Sequence, residues 1–596
     1  AMLPIHIRTK AKLMNTTPDI QLPDDVVLDI QNLKTYFPLR AMTIKAVDDV
    51  SLTLRRGKTT CVVGESGSGK SITARSILQI VDSPGQIEGG VISMRTPPRV
   101  GGVESIIKLS KLPPRSKAIR AIRGRDIGMI FQEPMSSLSP VHTIGDQIIE
   151  TIRLHEKVSK KDAKERAIEL MRRVEIKNPE QAIDQYPFEF SGGMRQRAMI
   201  AMALSCNPSI LIADEPTTAL DVTTQAEILD LMSELQREHG MAIMFITHDM
   251  GVVAEIADDV VVMRHGKVVE TGEVKEIFAN PQHPYTQLLL DSVVKLEARA
   301  EIKPTEDAVL NSGSDTILSV KNLSITFPIR SGFLRRVTGG VEAVKNVSFD
   351  LKRGESLGIV GESGSGKTTL GRCIASVNPP TSGSVLYYGA DPAGVDLNGL
   401  TGEPLCAYRR QMRMIFQDPH GSLNPRMTVG QIVGEPLQVN GIEKGEALRD
   451  RVAHLLEQVG LSADVMERYP HAFSGGQRQR IGIARAIALD PKVIICDEAT
   501  SALDVSIRSQ VLDLLIGLQE TLDLSFIFIA HDIGVVRYFC DRVAVMREGE
   551  IVELGAASVI CDDPQHAYTK ALISAVPHPD PTARSIHLRH RYSEDS

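Results

Sequence analysis

One seven-residue segment occurs twice in this chain of 596 residues, and it constrains the fold more than any other part of the sequence. Gly-Glu-Ser-Gly-Ser-Gly-Lys runs from Gly64 to Lys70 and again from Gly361 to Lys367, followed by Ser71 and Thr368. Both copies fit the phosphate-loop pattern G-x-x-x-x-G-K-[ST]. Each has an apolar run before it and a helix-compatible run after it, an order that directs backbone N–H groups at phosphate oxygens. A flexible Gly/Ser surface loop is the alternative, and two copies in the same context disfavour it.

The repeat extends far beyond the two loops. Four further motifs recur 283 positions apart: Ser191-Gly192-Gly193 with Ser474-Gly475-Gly476, Asp214-Glu215 with Asp497-Glu498, Ala219-Leu220-Asp221 with Ala502-Leu503-Asp504, and His248-Asp249 with His531-Asp532. The separation is 297 for the phosphate loops and 285 for Phe131-Gln132 against Phe416-Gln417, so the first half carries 12 extra residues between them. Varying separations between fixed motifs are typical of loop insertions in a duplicated unit.

Composition excludes several function classes. The net charge of -7 provides no general basic field for nucleic acid. No apolar stretch is long enough for a transmembrane helix, and Ala1 to Lys10 lacks a signal-peptide pattern. The seven cysteines show no C-x-x-C pairing, which favours reduced thiols in the cytoplasm over a zinc ribbon or an iron–sulfur cluster.

The hydrophobic pattern predicts the same α/β organisation in both halves. Opening strands are expected at Val26 to Phe37 and Ile317 to Phe327, and helical segments at Glu133 to Phe188 and Asp418 to Ala472. Continuous apolar runs suit strands of a parallel sheet covered on both faces: Ile210 to Ala213, Ile243 to Ile246 and Val260 to Met263, then Val493 to Cys496, Phe526 to Ile529 and Val543 to Met546. We interpret the basic stretch Arg95 to Arg125 as a solvated loop.

The ordered motifs resemble those of the ATP-binding-cassette (ABC) ATPases, with two complete cassettes in one polypeptide. The resemblance covers the chain from about residue 26 to 577. It implies two tandem phosphate-loop domains, each with a mixed parallel-sheet core, an antiparallel β subdomain and an α-helical subdomain. The expected bounds are an arm at 1–25, a first cassette at 26–290, a linker at 291–316, a second cassette at 317–577 and a tail at 578–596.

The chemistry of ATP hydrolysis can be assigned to residues of the two halves. Asp214 and Asp497 end apolar strands, where a carboxylate can hold Mg²⁺. The next residue is placed as general base, with helix capping as the alternative. The resemblance implies that His248 and His531 contact the γ-phosphate. The expected catalytic residues are thus Glu215, His248, Glu498 and His531, and the expected metal site comprises Ser71, Gln132 and Asp214, with Thr368, Gln417 and Asp497 in the second half. A surface turn is the alternative for both glutamines.

The Ser-Gly-Gly motifs each begin a helix, and the resemblance implies that each closes over ATP bound to the loop of the other half. The expected ATP-binding residues of the first half are Phe37, Gly64, Glu65, Ser66, Gly67, Ser68, Gly69, Lys70, Ser71, Ser191, Gly192, Gly193 and Asp221. Those of the second half are Phe327, Gly361, Glu362, Ser363, Gly364, Ser365, Gly366, Lys367, Thr368, Thr369, Ser474, Gly475, Gly476 and Asp504. For the two phenylalanines core packing is the alternative to adenine stacking, and Tyr36 is a second candidate for stacking.

Both Glu and both His positions are intact, so both sites are expected to hydrolyse ATP. Met194 stands where the second half has Gln477, and only a tuning effect is expected from it.

A second resemblance indicates the transport class. Pro281-Gln282-His283-Pro284-Tyr285-Thr286 and Pro564-Gln565-His566-Ala567-Tyr568-Thr569 resemble the His-Pro-Tyr extension of peptide, oligopeptide and glutathione importer ATPases. Physically they predict a turn before a helix, with Thr286 or Thr569 as cap, and no catalytic role.

The importer resemblance implies ATP and Mg²⁺ as cofactors. Many ATPases of this class end with a cysteine cluster that holds an iron–sulfur centre, but the only late cysteines here are Cys540 and Cys561, so no iron–sulfur cluster is expected. The resemblance implies two transmembrane permease subunits, each inserting a helix near Gln132 to Ile152 or Gln417 to Leu437. An extracytoplasmic solute-binding protein would deliver solute to the complex. This chain would be bound peripherally at the cytoplasmic face of the bacterial inner membrane. No nucleic acid and no obligatory cassette homodimer is expected. For the basic stretch Arg95 to Arg125, contact with anionic lipid headgroups or with the permease is the alternative to a solvated loop.

The principal rival is a ribosome-bound tandem-cassette translation factor. Such proteins have long charged linkers, whereas this linker is short and acidic. DNA-repair cassette proteins carry zinc modules or long coiled coils, for which the sequence gives no pattern.

Overall fold

The computed structural model of this chain describes residues 22–40, 42–97, 104–133, 137–217, 220–298, 316–331, 336–389, 393–501 and 503–584. Most of the expected N-terminal arm, most of the linker and the last 12 residues of the tail (585–596) lie outside these ranges. Among the described residues, no helix combines the length and the apolar character needed to cross a membrane.

The first half contains an antiparallel sheet and a mixed sheet. The four-stranded sheet has the order β2-β1-β4-β5, and the six-stranded sheet has the order β10-β9-β3-β8-β7-β6. The strands are β1 Val26–Pro38, β2 Thr43–Arg55, β3 Thr59–Val63, β4 Gln86–Thr96, β5 Ser105–Lys108, β6 Ile127–Ile130, β7 Ile210–Asp214, β8 Ala242–Thr247, β9 Asp259–Arg264 and β10 Lys267–Glu273.

The second half repeats both sheets in the same order. Its antiparallel sheet is β12-β11-β14-β15 and its mixed sheet is β16-β17-β18-β13-β19-β20. The strands are β11 Thr316–Ser331, β12 Arg336–Lys352, β13 Ser356–Val360, β14 Ser382–Tyr387, β15 Val395–Asp396, β16 Met412–Ile415, β17 Val493–Asp497, β18 Ser525–Ile529, β19 Arg542–Arg547 and β20 Glu550–Ala556. The predicted opening strands and all six predicted core strands are therefore confirmed to within one residue at each end, except that β11 continues four residues beyond Phe327.

Helices cover both faces of each mixed sheet. Those of the first half are α1 Lys70–Ile77, α2 Lys117–Ile122, α3 Ile144–His155, α4 Lys160–Arg173, α5 Pro179–Ala182, α6 Gly192–Leu204, α7 Val222–His239, α8 Met250–Ile256, α9 Val274–Ala279 and α10 Pro284–Ala298. Those of the second half are α11 Lys367–Ile374, α12 Gly402–Gln411, α13 Pro419–Ser422, α14 Val429–Val439, α15 Gly445–Gln458, α16 Gly475–Ile487, α17 Val505–Leu522, α18 Ile533–Phe539, α19 Ala557–Asp562 and α20 Ala567–Ser574.

The central strands are buried because they lie between these layers. Every residue of β3, β7 and β8 is buried, as is every residue of β13, β17 and β18. Strand β3 pairs in parallel with β8 on one side and β9 on the other. The strand that leads into the first phosphate loop is thus held inside the sheet, and the loop emerges at the carboxyl edge, where ligands bind in open α/β sheets.

The interpretation of Arg95 to Arg125 as a solvated loop is wrong for most of the residues that the structure describes in this stretch. Strand β5 pairs with the end of β4, and Leu109 and Ile119 are fully buried. Arg95 donates to the Val26 carbonyl and forms an ion pair with Glu104 at 3.4 Å. Residues 98–103 of this stretch lie outside the described ranges. The Arg95 side chain thus connects β4 to β1 and to Glu104, and the apolar side chains of Leu109 and Ile119 are part of the hydrophobic core.

Candidate functional site

Glycines make each phosphate loop possible. Gly64 has φ +146° and Gly69 has φ +100°, conformations that L side chains rarely adopt. A Cβ on Gly64 would lie 2.1 Å from the Met263 carbonyl oxygen, and one on Gly69 would lie 2.2 Å from that of Ala46. Gly361 and Gly366 have the same conformations and equally close neighbours. The loops therefore pass against backbone at a distance that admits only glycine.

Each loop ends in a buried lysine that begins the following helix. Lys70 Nζ donates to the carbonyls of Gly64 at 2.6 Å and Glu65 at 2.9 Å. Lys367 Nζ donates to the corresponding carbonyls of Gly361 and Glu362, both at 2.7 Å. Burial lowers the pKa of both lysines, while nearby carboxylates oppose that shift. The ammonium group is thus held inside the curve of its own loop, where it can exchange carbonyl oxygens for phosphate oxygens.

The hydroxyl after each lysine contacts the aspartate that ends a core strand. Ser71 Oγ donates to Asp214 Oδ1 at 2.8 Å, and Thr368 Oγ1 donates to Asp497 Oδ1 at 2.9 Å. Both aspartates are 2% exposed, and burial raises their pKa values. The two oxygens of each pair are the hard donors that Mg²⁺ prefers, so the residues fit such an ion.

The glutamate that follows each aspartate has a left-handed backbone. Both Glu215 and Glu498 have φ +48°, which is uncommon for a residue with a side chain. The amide of Glu215 donates to Ile246 and that of Glu498 to Ile529, both carbonyls of the neighbouring strand. Such a conformation costs energy and persists where the surroundings impose it, often at functional sites.

Each of these glutamates forms a small cluster with a glutamine and a histidine. Gln132 Nε2 donates to Glu215 Oε2 at 3.0 Å, and His248 Nδ1 lies 3.5 Å from Glu215 Oε1. In the second half, Gln417 Nε2 donates to Glu498 Oε2 at 2.5 Å.

His531 Nδ1 lies 3.5 Å from Glu498 Oε2. Burial would raise the pKa of Glu498, but the hydrogen bond and charge of His531 outweigh it and hold that pKa below its usual value. The sequence-predicted Glu, His and Gln therefore come together in both halves.

The Ser-Gly-Gly motifs begin helices α6 and α16 as expected. Ser191 Oγ accepts from the Met194 amide at 3.3 Å, and Ser474 Oγ accepts from the Gln477 amide at 3.3 Å. Only Gln477 returns the contact, since its Oε1 accepts from the Ser474 amide at 3.1 Å. Because Met194 stands where the second half has Gln477, the start of α6 lacks the capping box that α16 has.

The two halves meet at the first phosphate loop. The Ser66 amide donates to Asp504 Oδ1 at 2.9 Å, although the two residues are 438 positions apart. In the second site Asp221 lies close enough to Glu362 to raise the pKa of that carboxyl, together with the larger effect of burial. Both histidines line one cavity of about 360 Å³ between the halves, together with Asp249 and Asp532.

The two aromatic residues expected to stack on adenine, Phe37 and Phe327, are only partly buried. Phe327 is 45% exposed, which argues against core packing for it. Phe37 is half-buried and lies close to Gly85, where an added Cβ would meet its ring at 2.6 Å. The Tyr36 hydroxyl donates to Asp48 at 2.5 Å.

The His-Pro-Tyr segments correct one prediction and reveal a residue that sequence reasoning missed. Thr286 and Thr569 are buried and do not cap the helices; His283 Nδ1 accepts from the Tyr285 amide at 3.1 Å, and His566 Nδ1 from the Tyr568 amide at 3.2 Å. Tyr285 instead reaches the first phosphate loop. Its recurrence in the second half, as Tyr568, was the one available signal.

Comparison with known proteins gives two family matches. The model described as "ABC transporter" matches residues 47–218 and 344–501, and that described as "Oligopeptide/dipeptide transporter, C-terminal region" matches residues 269–313 and 552–594. Among solved structures, the dimeric ATP-binding cassette MJ0796 bound to ADP and Pi covers 40% of this chain and 99% of its own, with 31% identity and a TM-score of 0.36.

Curated relatives match along nearly the whole chain. The "Glutathione import ATP-binding protein GsiA" of Salmonella choleraesuis (strain SC-B67) is 48% identical over 575 residues, 93% of this chain and 90% of that protein. Proteins of the same name from Escherichia coli (strain K12) and Pectobacterium atrosepticum are 47% identical over 577 residues and 46% identical over 591 residues. They cover 93% and 96% of this chain, and 90% and 93% of their own lengths.

Proposed function

This chain belongs to the ABC transporter family of ATP-binding proteins, and from that premise we propose that it is the ATP-hydrolysing subunit of a binding-protein-dependent importer of glutathione or short peptides. The name of its relatives and the oligopeptide-transporter match at the end of each cassette support this solute class. The observation that carries the mechanism is the bond between the Ser66 amide and Asp504, which joins the phosphate loop of one cassette to the other cassette.

Two composite ATP sites follow from this arrangement. In each, the loop amides and the buried lysine bind phosphate oxygens, and the Ser-Gly-Gly helix of the other cassette completes the site. The hydroxyl–aspartate pairs Ser71–Asp214 and Thr368–Asp497 are the groups that would hold Mg²⁺, with Gln132 and Gln417 beside them. The ion supplies charge neutralisation for the phosphates when bound.

Hydrolysis needs a base for the attacking water. Glu215 and Glu498 serve that role, and the neighbouring His248 and His531 orient the carboxylates and contact the γ-phosphate. Phe37 and Phe327 stack on adenine at the exposed entrance. The near-identical geometry of the two clusters supports hydrolysis at both sites.

Permease contacts are proposed on the helical subdomains. Helices α14 and α15 border a groove of about 260 Å³. Its walls combine small and apolar residues, among them Gly430, Gly434, Leu448 and Val452, with polar ones such as Gln431 and Arg449. Small and apolar residues on its walls suit a short helix from a membrane subunit. The groove includes residues of the predicted segment Gln417 to Leu437, which supports peripheral attachment of the chain at the cytoplasmic face of the inner membrane.

The domain bounds predicted from sequence are retained as part of this proposal. Each cassette, at 26–290 and 317–577, contains one complete pair of sheets, and the segment 291–316 joins them.

Reconstitution tests the function directly. The chain is co-purified with its two permease subunits and binding protein in lipid, and ATPase activity is measured with glutathione, dipeptides or no solute. We expect stimulation several-fold above the basal rate by the cognate solute. Co-sedimentation with ribosomes, and no stimulation in the reconstituted complex, would instead support the translation-factor alternative.

A further inference from the structure

A buried tyrosine contacts the entry of each phosphate loop. The Glu65 amide donates to Tyr285 Oη at 2.9 Å, and the Glu362 amide donates to Tyr568 Oη at 3.1 Å. Both side chains are almost fully buried, at 2% and 3% exposure. Tyrosine and loop are more than 200 positions apart in each case, 220 and 206 respectively. The same long-range contact occurs in both halves, which indicates that the position of the hydroxyl is specific.

The tyrosine is fixed by its own turn and by the sheet. Glu270 accepts from the Gln282 amide at 2.7 Å and from the His283 amide at 3.0 Å, which holds the turn against β10. The Arg264 guanidinium lies 4.6 Å from the centre of the Tyr285 ring. Arg264 directly follows Met263, whose carbonyl touches Gly64. The ring, the strand end and the loop are therefore linked by direct contacts.

The second cassette repeats each of these contacts. Glu553 accepts from the Gln565 and His566 amides at 2.8 and 3.2 Å, and the Arg547 guanidinium lies 5.6 Å from the centre of the Tyr568 ring.

The helices that carry the tyrosines pack on the opposite cassette. Helix α10, which contains Tyr285, contacts α17 and α18 of the second cassette, and α20, which contains Tyr568, contacts α7 of the first. Helix α17 begins directly after Asp504, the residue bonded to the Ser66 amide. Two consecutive loop amides are thus bound by groups whose helices pack together, one from each cassette.

We propose that Tyr285 and Tyr568 are positioning residues that orient the entry of each phosphate loop, and that their helices connect this orientation to the position of the opposite cassette. The inference rests on the proposed ATP sites. Burial raises the pKa of Tyr285 to about 12, so its hydroxyl stays neutral at physiological pH. The tyrosine acts on ATP only through the loop.

Replacing tyrosine by phenylalanine removes the hydroxyl and keeps the ring over its arginine. In the full chain, we expect Tyr285→Phe and Tyr568→Phe each to raise the KM for ATP about two- to tenfold, with kcat nearly unchanged, because one hydrogen bond to the loop is lost. We expect the melting temperature without nucleotide to fall by no more than about 2 °C. Unchanged KM values in both variants would overturn the proposal.

Tyr387→Phe is a matched control. Tyr387 is 3% exposed and lies in β14 of the antiparallel sheet, opposite Leu318 of β11. We expect this variant to keep the wild-type KM even though it loses a comparably buried tyrosine hydroxyl. An equal rise in KM would mean that loss of any buried tyrosine hydroxyl weakens ATP binding, and the positioning role would be refuted.

Hydrogen exchange tests the connection between cassettes without measuring activity. In Tyr285→Phe we expect faster amide exchange both in the peptide containing Glu65 and at the start of α17. Faster exchange in the loop alone would refute the connection to the opposite cassette. Lys70→Ala tests the proposed ATP site separately from the tyrosines. If this variant still bound ATP like the wild type, the proposed ATP site would be wrong, whatever the tyrosine variants showed.

Discussion

Adjacent acidic residues at the end of strand β17 have opposite electrostatic environments. Asp497 is 2% exposed, and burial raises its pKa, whereas the partner His531 keeps the pKa of Glu498 low. A raised folded-state pKa means that stability from this group is present at low pH and lost as pH rises. For a lowered pKa the stability is present at high pH and lost as pH falls. At neutral pH the aspartate therefore weakens the fold, and the glutamate supports it.

This difference predicts opposite effects of two neighbouring substitutions. At pH 7 without nucleotide, we expect Asp497→Asn to raise the melting temperature by about 2 to 4 °C and Glu498→Gln to lower it by a similar amount. Thermal unfolding followed from pH 7 down to about pH 3 should show both differences shrinking: the Asp497 difference as the pH falls toward the ordinary aspartate pKa of 3.8, and the Glu498 difference only below the ordinary glutamate pKa of 4.5. A gain in stability from Glu498→Gln at pH 7 would contradict the assignment of its histidine partner.

The two glutamates also provide a test of symmetry. Glu215 and Glu498 share φ +48°, a glutamine donor and a histidine at 3.5 Å, so neither site has a geometric advantage. Removal of a general base lowers the rate at its site by about 10² to 10⁴. We expect single Glu→Gln variants to lose at least half of the total ATPase rate, and to agree within about twofold. Steady-state phosphate release measures the ATPase rate of each variant. One inactive and one near-wild-type variant would refute hydrolysis at both sites.

Sequence reasoning found the residues that repeat within motifs and missed a residue whose partner is distant. Asp214, Glu215 and His248 were predictable because each ends or follows an apolar strand, and parallel strands bring their carboxyl ends together. Tyr285 was not predictable as a loop contact, because its partner Glu65 is 220 positions away and no local pattern encodes that distance. The predicted threonine caps failed because the helices begin earlier, at Pro284 and Ala567, and the histidine before each start accepts from the tyrosine amide instead.

At the scale of elements, the helices α6 and α16 differ at their first turn. Ser474 and Gln477 form a reciprocal capping box, whereas Met194 cannot return the bond to Ser191. We expect Gln477→Met to destabilise the second cassette by about 0.5 to 1 kcal/mol, because the Ser474 amide loses its partner. Chemical denaturation measures the loss, with Met194→Gln as the reciprocal variant; equal stability of wild type and Gln477→Met would show that the box contributes nothing.

The antiparallel sheet shows where amino-acid composition fails to predict secondary structure. Arg95 to Arg125 is rich in Pro, Gly and basic residues, which favoured a loop. Ile106 and Ile107 nevertheless lie in β5, and Leu109 is fully buried beneath it. A strand of four residues gives too short an alternation to stand out from its neighbours. Long apolar strands and the helical subdomains, by contrast, were predicted correctly in both halves.

At the scale of the whole molecule, contacts at several places join the cassettes. Besides Ser66–Asp504, Ala575 packs with Val222 and Ala226, and Arg584 donates to the Ala257 carbonyl. The residues after α20 thus lie on the first cassette. The linker residues 299–315 lie outside the described part of the chain, and covalent connection there adds effective concentration to contacts that already exist.

A protease site inserted between residues 299 and 315 tests this division of roles. We expect the cleaved protein to keep near-wild-type ATPase activity at micromolar concentration and to lose it on dilution, since the halves then associate as separate molecules. Size-exclusion chromatography should show one complex with ATP in a Glu215→Gln, Glu498→Gln background. Activity that is lost on cleavage at every concentration would mean that the linker itself orients the cassettes.

The contact between Ser66 and Asp504 has a consequence for genetics. When two identical subunits form such sites, one gene change alters both sites at once, and mixtures of mutant and normal subunits blur the phenotype. Here each position is encoded once, so an allele changes one half of one proposed site in every molecule of the cell. The two proposed sites can therefore evolve separately, and substitutions in this single gene can alter one of them while leaving the other intact.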